Sequence, residues 1–95
     1  DVDYLEAQNK QVLVHLSNGT TLQIREQFTR CEEAFTEERG FFRCHRSYIV
    51  NMKRIEQFSK DTIMTDNQVE LPISRNSYMA FKEAYFNYMF DSETL

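Results

Sequence analysis

The sequence predicts a mainly β protein with two helices, and three observations carry that reading. Short runs in which apolar and polar residues alternate recur along most of the chain, as at Val12, Val14 and Leu16 and at Val69, Leu71 and Ile73. Asn18-Gly19 separates two such runs, and this dipeptide is a strong hairpin signal because both positions of the turn it favours want φ > 0. The apolar period lengthens toward that of a helix in only two places, Gln27 to Glu37 and Tyr78 to Met89.

Taken in order, Val2 to Glu6 reads as a short strand, and Gln11 to Ser17 as a firmer one. A polar loop, Ala7-Gln8-Asn9-Lys10, joins them. After Asn18-Gly19 the run Thr20 to Arg25 returns, with Leu22 and Ile24 alternating against Thr21 and Gln23. The first helix places Phe28, Cys31, Ala34 and Phe35 on its apolar side, and Gly40 is its expected stop. Phe41 to His45 is a compact strand, whereas Ser47 to Asn51 is too short to stand as an independent element. Arg54 to Phe58 and Thr62 to Thr65 follow as strands, and Asp66-Asn67 marks another turn. Pro72 consigns the Val69–Ile73 run to a sheet edge or its end, since proline cannot donate to a ladder. Ser77 is placed to cap the last helix, whose stripe Tyr78, Phe81, Tyr85 and Met89 should be buried.

Length and composition narrow the function. Ninety-five residues are one small domain, residues 1–95, in which a chain buries only about 60–65% of its unfolded surface. Two Gly and one Pro exclude linker or collagenous readings, and no apolar run reaches the roughly 18–20 residues that span a bilayer. The start at Asp1, inside a strand-like run, reads as a fragment of a longer protein. The net charge of −4 argues against nucleic acid when taken alone. Its distribution is uneven, however: Arg39, Arg43, Arg46, Lys53, Arg54 and Lys60 fall in a stretch with a single acid, Glu56. A ligand feels local potential, screened within about 8–10 Å at physiological salt.

The most specific segment is Phe41-Phe42-Arg43-Cys44-His45-Arg46-Ser47-Tyr48-Ile49-Val50-Asn51. Further on stand Ile55, the Asp66-Asn67 turn and Leu71-Pro72-Ile73-Ser74-Arg75. The opening strands contribute Tyr4-Leu5-Glu6 and Val14-His15-Leu16-Ser17-Asn18-Gly19. Together these closely resemble the LytTR family over nearly the whole chain. The resemblance implies short antiparallel sheets stacked end to end, with loops along one edge entering successive major grooves of double-stranded DNA and a minor-groove crossing between them. Carried over by position, the DNA-facing residues are Asn9 or Lys10 in the first loop, Arg46 and Ser47, and Arg75 and Asn76. The resemblance further implies a bacterial transcription regulator of the two-component response-regulator kind. A receiver or sensor domain would stand upstream, and dimers would occupy paired promoter repeats in the cytoplasm.

The chemistry of these residues fits that assignment. Arg75 lies between a strand and a helix start, where a guanidinium can project and read guanine O6 and N7 with a bidentate fork. Ser47 and Asn76 are short donors suited to phosphate oxygens, and Arg43 and Lys53 would add to the phosphate-facing field. Arg46 suits a minor-groove or phosphate contact. Asn51 and His45 read as structural, each satisfying local hydrogen bonds.

An enzyme or a metal centre has little support. Cys44 and His45 are adjacent on a strand and so face opposite ways, and no Cys-x-x-Cys spacing occurs. No cofactor is expected, and two isolated cysteines suit free thiols in a reducing cytosol. The competing reading is a protein–protein module that docks through its C-terminal helix, using Tyr78, Phe81, Tyr85, Phe86, Tyr88 and Phe90.

Overall fold

In a computed structural model that describes the backbone of residues 1–94 and the side-chain surroundings of residues 1–91, eight strands form two antiparallel sheets. The first sheet holds β1 (Val2–Gln8), β2 (Gln11–Leu16), β3 (Thr21–Ile24), β4 (Phe41–His45) and β5 (Tyr48–Asn51) in the order β3-β2-β1-β5-β4. The second is a meander of β6 (Ile55–Phe58), β7 (Thr62–Thr65) and β8 (Glu70–Pro72). Helix α1 (Phe28–Ala34) links β3 to β4, and α2 (Tyr78–Thr94) closes the described chain. No helix among the described residues is long and apolar enough to cross a membrane.

The larger sheet carries a hydrophobic cluster on each face. Leu5, Val12, Val14 and Ile49 face α1 and meet Cys31, with Phe28, Phe35 and Phe41 at the margin. Tyr4, Phe42, Cys44 and Val50 belong to the other cluster, shared with Ile63 and Leu71 of the second sheet, with Ile73 just past its last strand, and with Phe81 and Ala84 of α2. Phe81 is its centre: fully buried, it lies 5.1 Å from Phe58 and 5.6 Å from Phe42 between ring centroids, both edge-on, and stacks on Tyr85. Burial on both faces explains why β5 lacks alternation. Ile49 and Val50 point opposite ways and each is completely buried, so Tyr48–Asn51 is a full strand between β1 and β4, not the stray segment expected.

Other local expectations change for definable reasons. The Asn18-Gly19 turn is not the two-residue type. Leu16 N donates to Thr20 O and Gly19 N to Leu16 O, and of the pair only Gly19 has positive φ, at 90°. This is a three-residue hairpin loop ending in a left-handed residue. The polar loop before it shrinks to Asn9-Lys10, because β1 and β2 stay paired as far as Gln8 and Gln11. Asn9 takes φ 58°, which asparagine tolerates better than most residues. Helix α1 stops at Ala34, which is exposed, and Glu37–Arg39 forms a separate 3-10 turn that Gly40 ends at φ 91°. Gly40 also lies against Tyr88, whose ring would stand 3.1 Å from an added Cβ.

At the far end, Ser77 does not cap α2. It ends a 3-10 turn, Arg75–Ser77, that runs into the helix, and Ser74 occupies the cap position. Phe81 and Ala84 form the inward line of α2, while Met89 is 43% exposed. Pro72 lies on β8, an edge strand as expected.

Candidate nucleic-acid interface

Three loops distant in sequence emerge side by side. The β1–β2 tip is Asn9-Lys10, and the β4–β5 turn is Arg46-Ser47. They meet because β5 pairs with β1, and Ala7 N donates to Ser47 O at 2.8 Å. The third loop joins through a bulge in β4. Arg43 pairs with Ile49 and His45 with Tyr48, leaving Cys44 between them. Its carbonyl takes the Ser74 N–H at 2.8 Å, which places Arg75 and Asn76 beside the Arg46 turn. Bulges serve this purpose elsewhere, re-aiming groups at a sheet rim.

The side chains of Asn9, Lys10, Arg46, Arg75 and Asn76 are exposed on these tips, and Ser47 is half-buried behind them. Their backbones are tied down. Ser47 N donates to His45 Nδ1 at 3.1 Å, Arg46 O accepts from Arg43 Nη2 at 2.7 Å, and Ser77 N donates to Ser74 O. His45 therefore does the local work expected of it. Asn51 does likewise at the other end of β5, accepting from Lys53 N and donating to Val2 O.

The basic stretch from Arg39 to Lys60 does not form one patch. Lys53 and Arg54 follow β5, at the opposite end of the sheet from the three tips. Arg54 is enclosed by acids, 3.1 Å from Asp1, 3.7 Å from the buried Asp3 and 3.4 Å from Asp66. Asn67 Nδ2 donates to the second Asp3 oxygen. Arg43 is half-buried, paired with Glu32 at 3.1 Å and with its guanidinium carbon 5.0 Å over the Phe28 ring. Two other cations reach the edge instead. Arg25 lines the same surface hollow as Asn9 and Lys10, since β3 carries it alongside Gln11. Lys60 sits in the β6–β7 turn, whose Asp61 carbonyl accepts from Ile73 N just before Arg75. Extending the Val12–Ile24 pairing by one residue would have brought Arg25 to light. The position of Lys60 depends on a contact between turns that no local pattern carries.

Nothing in this edge resembles a catalytic centre. Burial pushes the Cys44 thiol up to about 12, so it stays protonated and a poor nucleophile. Desolvation likewise raises the Tyr48 hydroxyl, with Glu6 adding to the effect through charge and a hydrogen bond. No group of His, Cys, Asp and Glu able to hold a metal occurs among the described residues. The aromatics of α2 are largely used by the core: Phe81 is buried, and Tyr78, Tyr85 and Tyr88 pack against the same cluster. Phe86 and Phe90 remain exposed, at 49% and 62%. The docking face imagined from sequence is accordingly reduced.

Comparison with known proteins bears on the domain as a whole. The family profile of the LytTr DNA-binding domain matches residues 1–86. Among solved structures, the chain is similar to one described as the LytTr DNA-binding domain of a methyl-accepting/DNA response regulator from Bacillus cereus. The two are 28% identical with a TM-score of 0.78, over 87% of this chain and 79% of the other. No curated protein matches.

Proposed function

Because the chain belongs to the LytTR family of DNA-binding domains, we propose that it is the sequence-specific output domain of a bacterial transcription regulator, one of response-regulator type acting in the cytoplasm. The observation that carries this reading is the convergence of the three tips, with exposed side chains on anchored backbone. Arg75 reads a guanine in a major groove, Lys10 or Asn9 enters the neighbouring one, and Arg46 lies across the minor groove between them. Ser47, Asn76 and Arg43 support the phosphate side of the interface, joined by Arg25 and Lys60. Two copies then occupy paired promoter repeats.

Selection of bound duplexes from a random pool, followed by anisotropy titration over a range of salt, tests this. A recovered motif is expected, with affinity that falls linearly in log–log form as salt rises. Failure to prefer any sequence over random duplex at low salt would defeat the reading.

A further inference from the structure

Arg43 lies one layer behind the edge, and its bonds run inward. One guanidinium nitrogen donates to Glu32 Oε1 at 3.1 Å, the other to the Arg46 carbonyl at 2.7 Å, and the Phe28 ring lies 5.0 Å below the guanidinium carbon. Glu32 and Phe28 both belong to α1, on the opposite side of β4 from the second sheet. The fork is therefore a strut between α1, whose first residue Phe28 borders the Asn9-Lys10 tip, and the backbone of Arg46 in the neighbouring turn. His45 grips the same turn from the other flank through the Ser47 N–H.

We propose that Arg43 and Glu32 are positioning residues for DNA recognition: Glu32 orients the Arg43 guanidinium, which fixes the carbonyl of Arg46 and so the height and direction of the Arg46–Ser47 turn. The proposal rests on the DNA-binding reading above and alters one part of it, since Arg43 then acts through the turn and not as a phosphate contact. The chemistry supports the division of labour. An arginine offers its donors in a rigid planar fork, which suits it to hold a carboxylate and a carbonyl at a fixed angle, and a lysine cannot reproduce this. The carbonyl bond is charge-assisted, the stronger class of hydrogen bond. Removing Glu32 frees the fork to rotate toward solvent, although Arg43 itself is untouched.

The consequence runs against simple electrostatics. Glu32→Gln deletes a negative charge from a DNA-binding domain, and by charge alone it should tighten binding to every duplex. If Glu32 sets the turn, the variant should instead lose affinity for the selected site by roughly 3- to 30-fold, the scale on which residues remote from a ligand modulate its binding. Random duplex should be bound as well as before or slightly better. Arg43→Ala should lose discrimination to a similar degree while its salt slope stays that of wild type, whereas loss of one phosphate contact would lower the slope by about 0.9. Arg43→Lys should behave like Arg43→Ala. The double variant Glu32→Gln/Arg43→Ala should lose no more discrimination than Arg43→Ala alone, because both members serve one device.

Amide hydrogen exchange on the DNA-free domain supplies a readout that does not depend on the binding assay. Exchange at Ser47 and Tyr48 should quicken in Glu32→Gln and Arg43→Ala, while Ile49 and Val50 in the same strand keep wild-type protection. Unchanged exchange at Ser47, equal tightening of Glu32→Gln on all duplexes, or a salt slope reduced by about one in Arg43→Ala would each overturn the proposal. If the wild-type domain itself prefers no sequence, the DNA-binding reading fails, and the exchange result then decides whether the strut still holds the turn.

Discussion

Replacing Arg75 offers a clean division between base reading and phosphate contact, because the free domain loses nothing in the exchange. Its side chain is exposed, and no hydrogen bond or ion pair among the described residues engages its guanidinium. Removal should leave stability within about 0.5 kcal/mol of wild type. The backbone beneath it is already ordered by the bonds from Ser74 N to Cys44 O and from Ser77 N to Ser74 O, so binding must immobilise only the side chain. A bidentate contact with guanine discriminates by about 1–3 kcal/mol, which is roughly 5- to 150-fold in affinity. Arg75→Ala should therefore lose that factor on the selected site and far less on random duplex. Arg75→Lys retains the charge without the planar fork and should still lose discrimination. Both variants are titrated by anisotropy against the selected duplex and a panel with single base-pair substitutions, over several salt concentrations. If the selected and random duplexes weaken equally, with the salt slope lowered by about 0.9, Arg75 is a phosphate contact. The base reader would then have to be sought at Lys10 or Arg46.

Stability gives three further checks. Phe81→Ala removes a fully buried ring flanked by Phe42, Phe58 and Tyr85 and should cost about 3–5 kcal/mol in urea titration; a wild-type midpoint would mean that this cluster is not the core. Arg54→Met should cost about 3–5 kcal/mol by leaving the buried Asp3 carboxylate uncompensated, and Asp3→Asn/Arg54→Met should recover much of that loss, while DNA affinity per folded molecule stays unchanged because the cluster lies at the opposite end from the tips. For Cys44 the folded thiol titrates near 12 against 9.0 when unperturbed, so the folded state retains its proton over the interval in which the unfolded chain loses it. The contribution is complete below pH 9 and falls by about 1.4 kcal/mol per unit up to pH 12; Cys44→Ala should flatten that decline, and an identical pH profile in the variant would contradict the burial argument.

Most elements were legible because they obey one period and one face. Val12 and Val14 alternate cleanly with half-buried neighbours, and Pro72 marks an edge strand because the chemistry of its nitrogen allows little else. The sequence was hardest to read where tertiary context overrides the local pattern. Tyr48–Asn51 is a central strand, yet two consecutive buried residues on opposite faces erase the alternation that would announce it. Ser77 has the right chemistry for a cap, but the bond from Ser74 N to the bulged Cys44 carbonyl starts the turn three residues earlier. The tips of the candidate edge were found through the motif, since no periodicity links residues 9, 46 and 75. What the motif could not convey is which basic residues are free. Arg43 and Arg54 look like Arg46 and Arg75 in sequence, and only folding shows that the first two are committed to carboxylates.

That commitment also resolves the apparent conflict between an acidic domain and a polyanionic partner. The net charge of −4 sums over the whole chain, but the charges do not act from one place. Asp1, Asp3 and Asp66 gather around Arg54 at the start of β1, while Asn9-Lys10 caps the other end of that strand. Strand β1 holds seven residues at about 3.3 Å each, so roughly 20 Å separates the two ends, about twice the screening length at physiological salt. Phosphates at the tips would feel Lys10, Arg25, Arg46, Lys60 and Arg75 strongly and the carboxylates around Arg54 weakly, while Glu26, which borders the Asn9-Lys10 tip, is paired with Arg30 at 3.8 Å. The carboxylates around Arg54 would disfavour approach from that end, and so favour an orientation that presents the duplex to the three tips. An acidic total then serves specificity, provided the cations at the edge remain unpaired, and the arginine ion pairs fall elsewhere, on Arg30, Arg43 and Arg54.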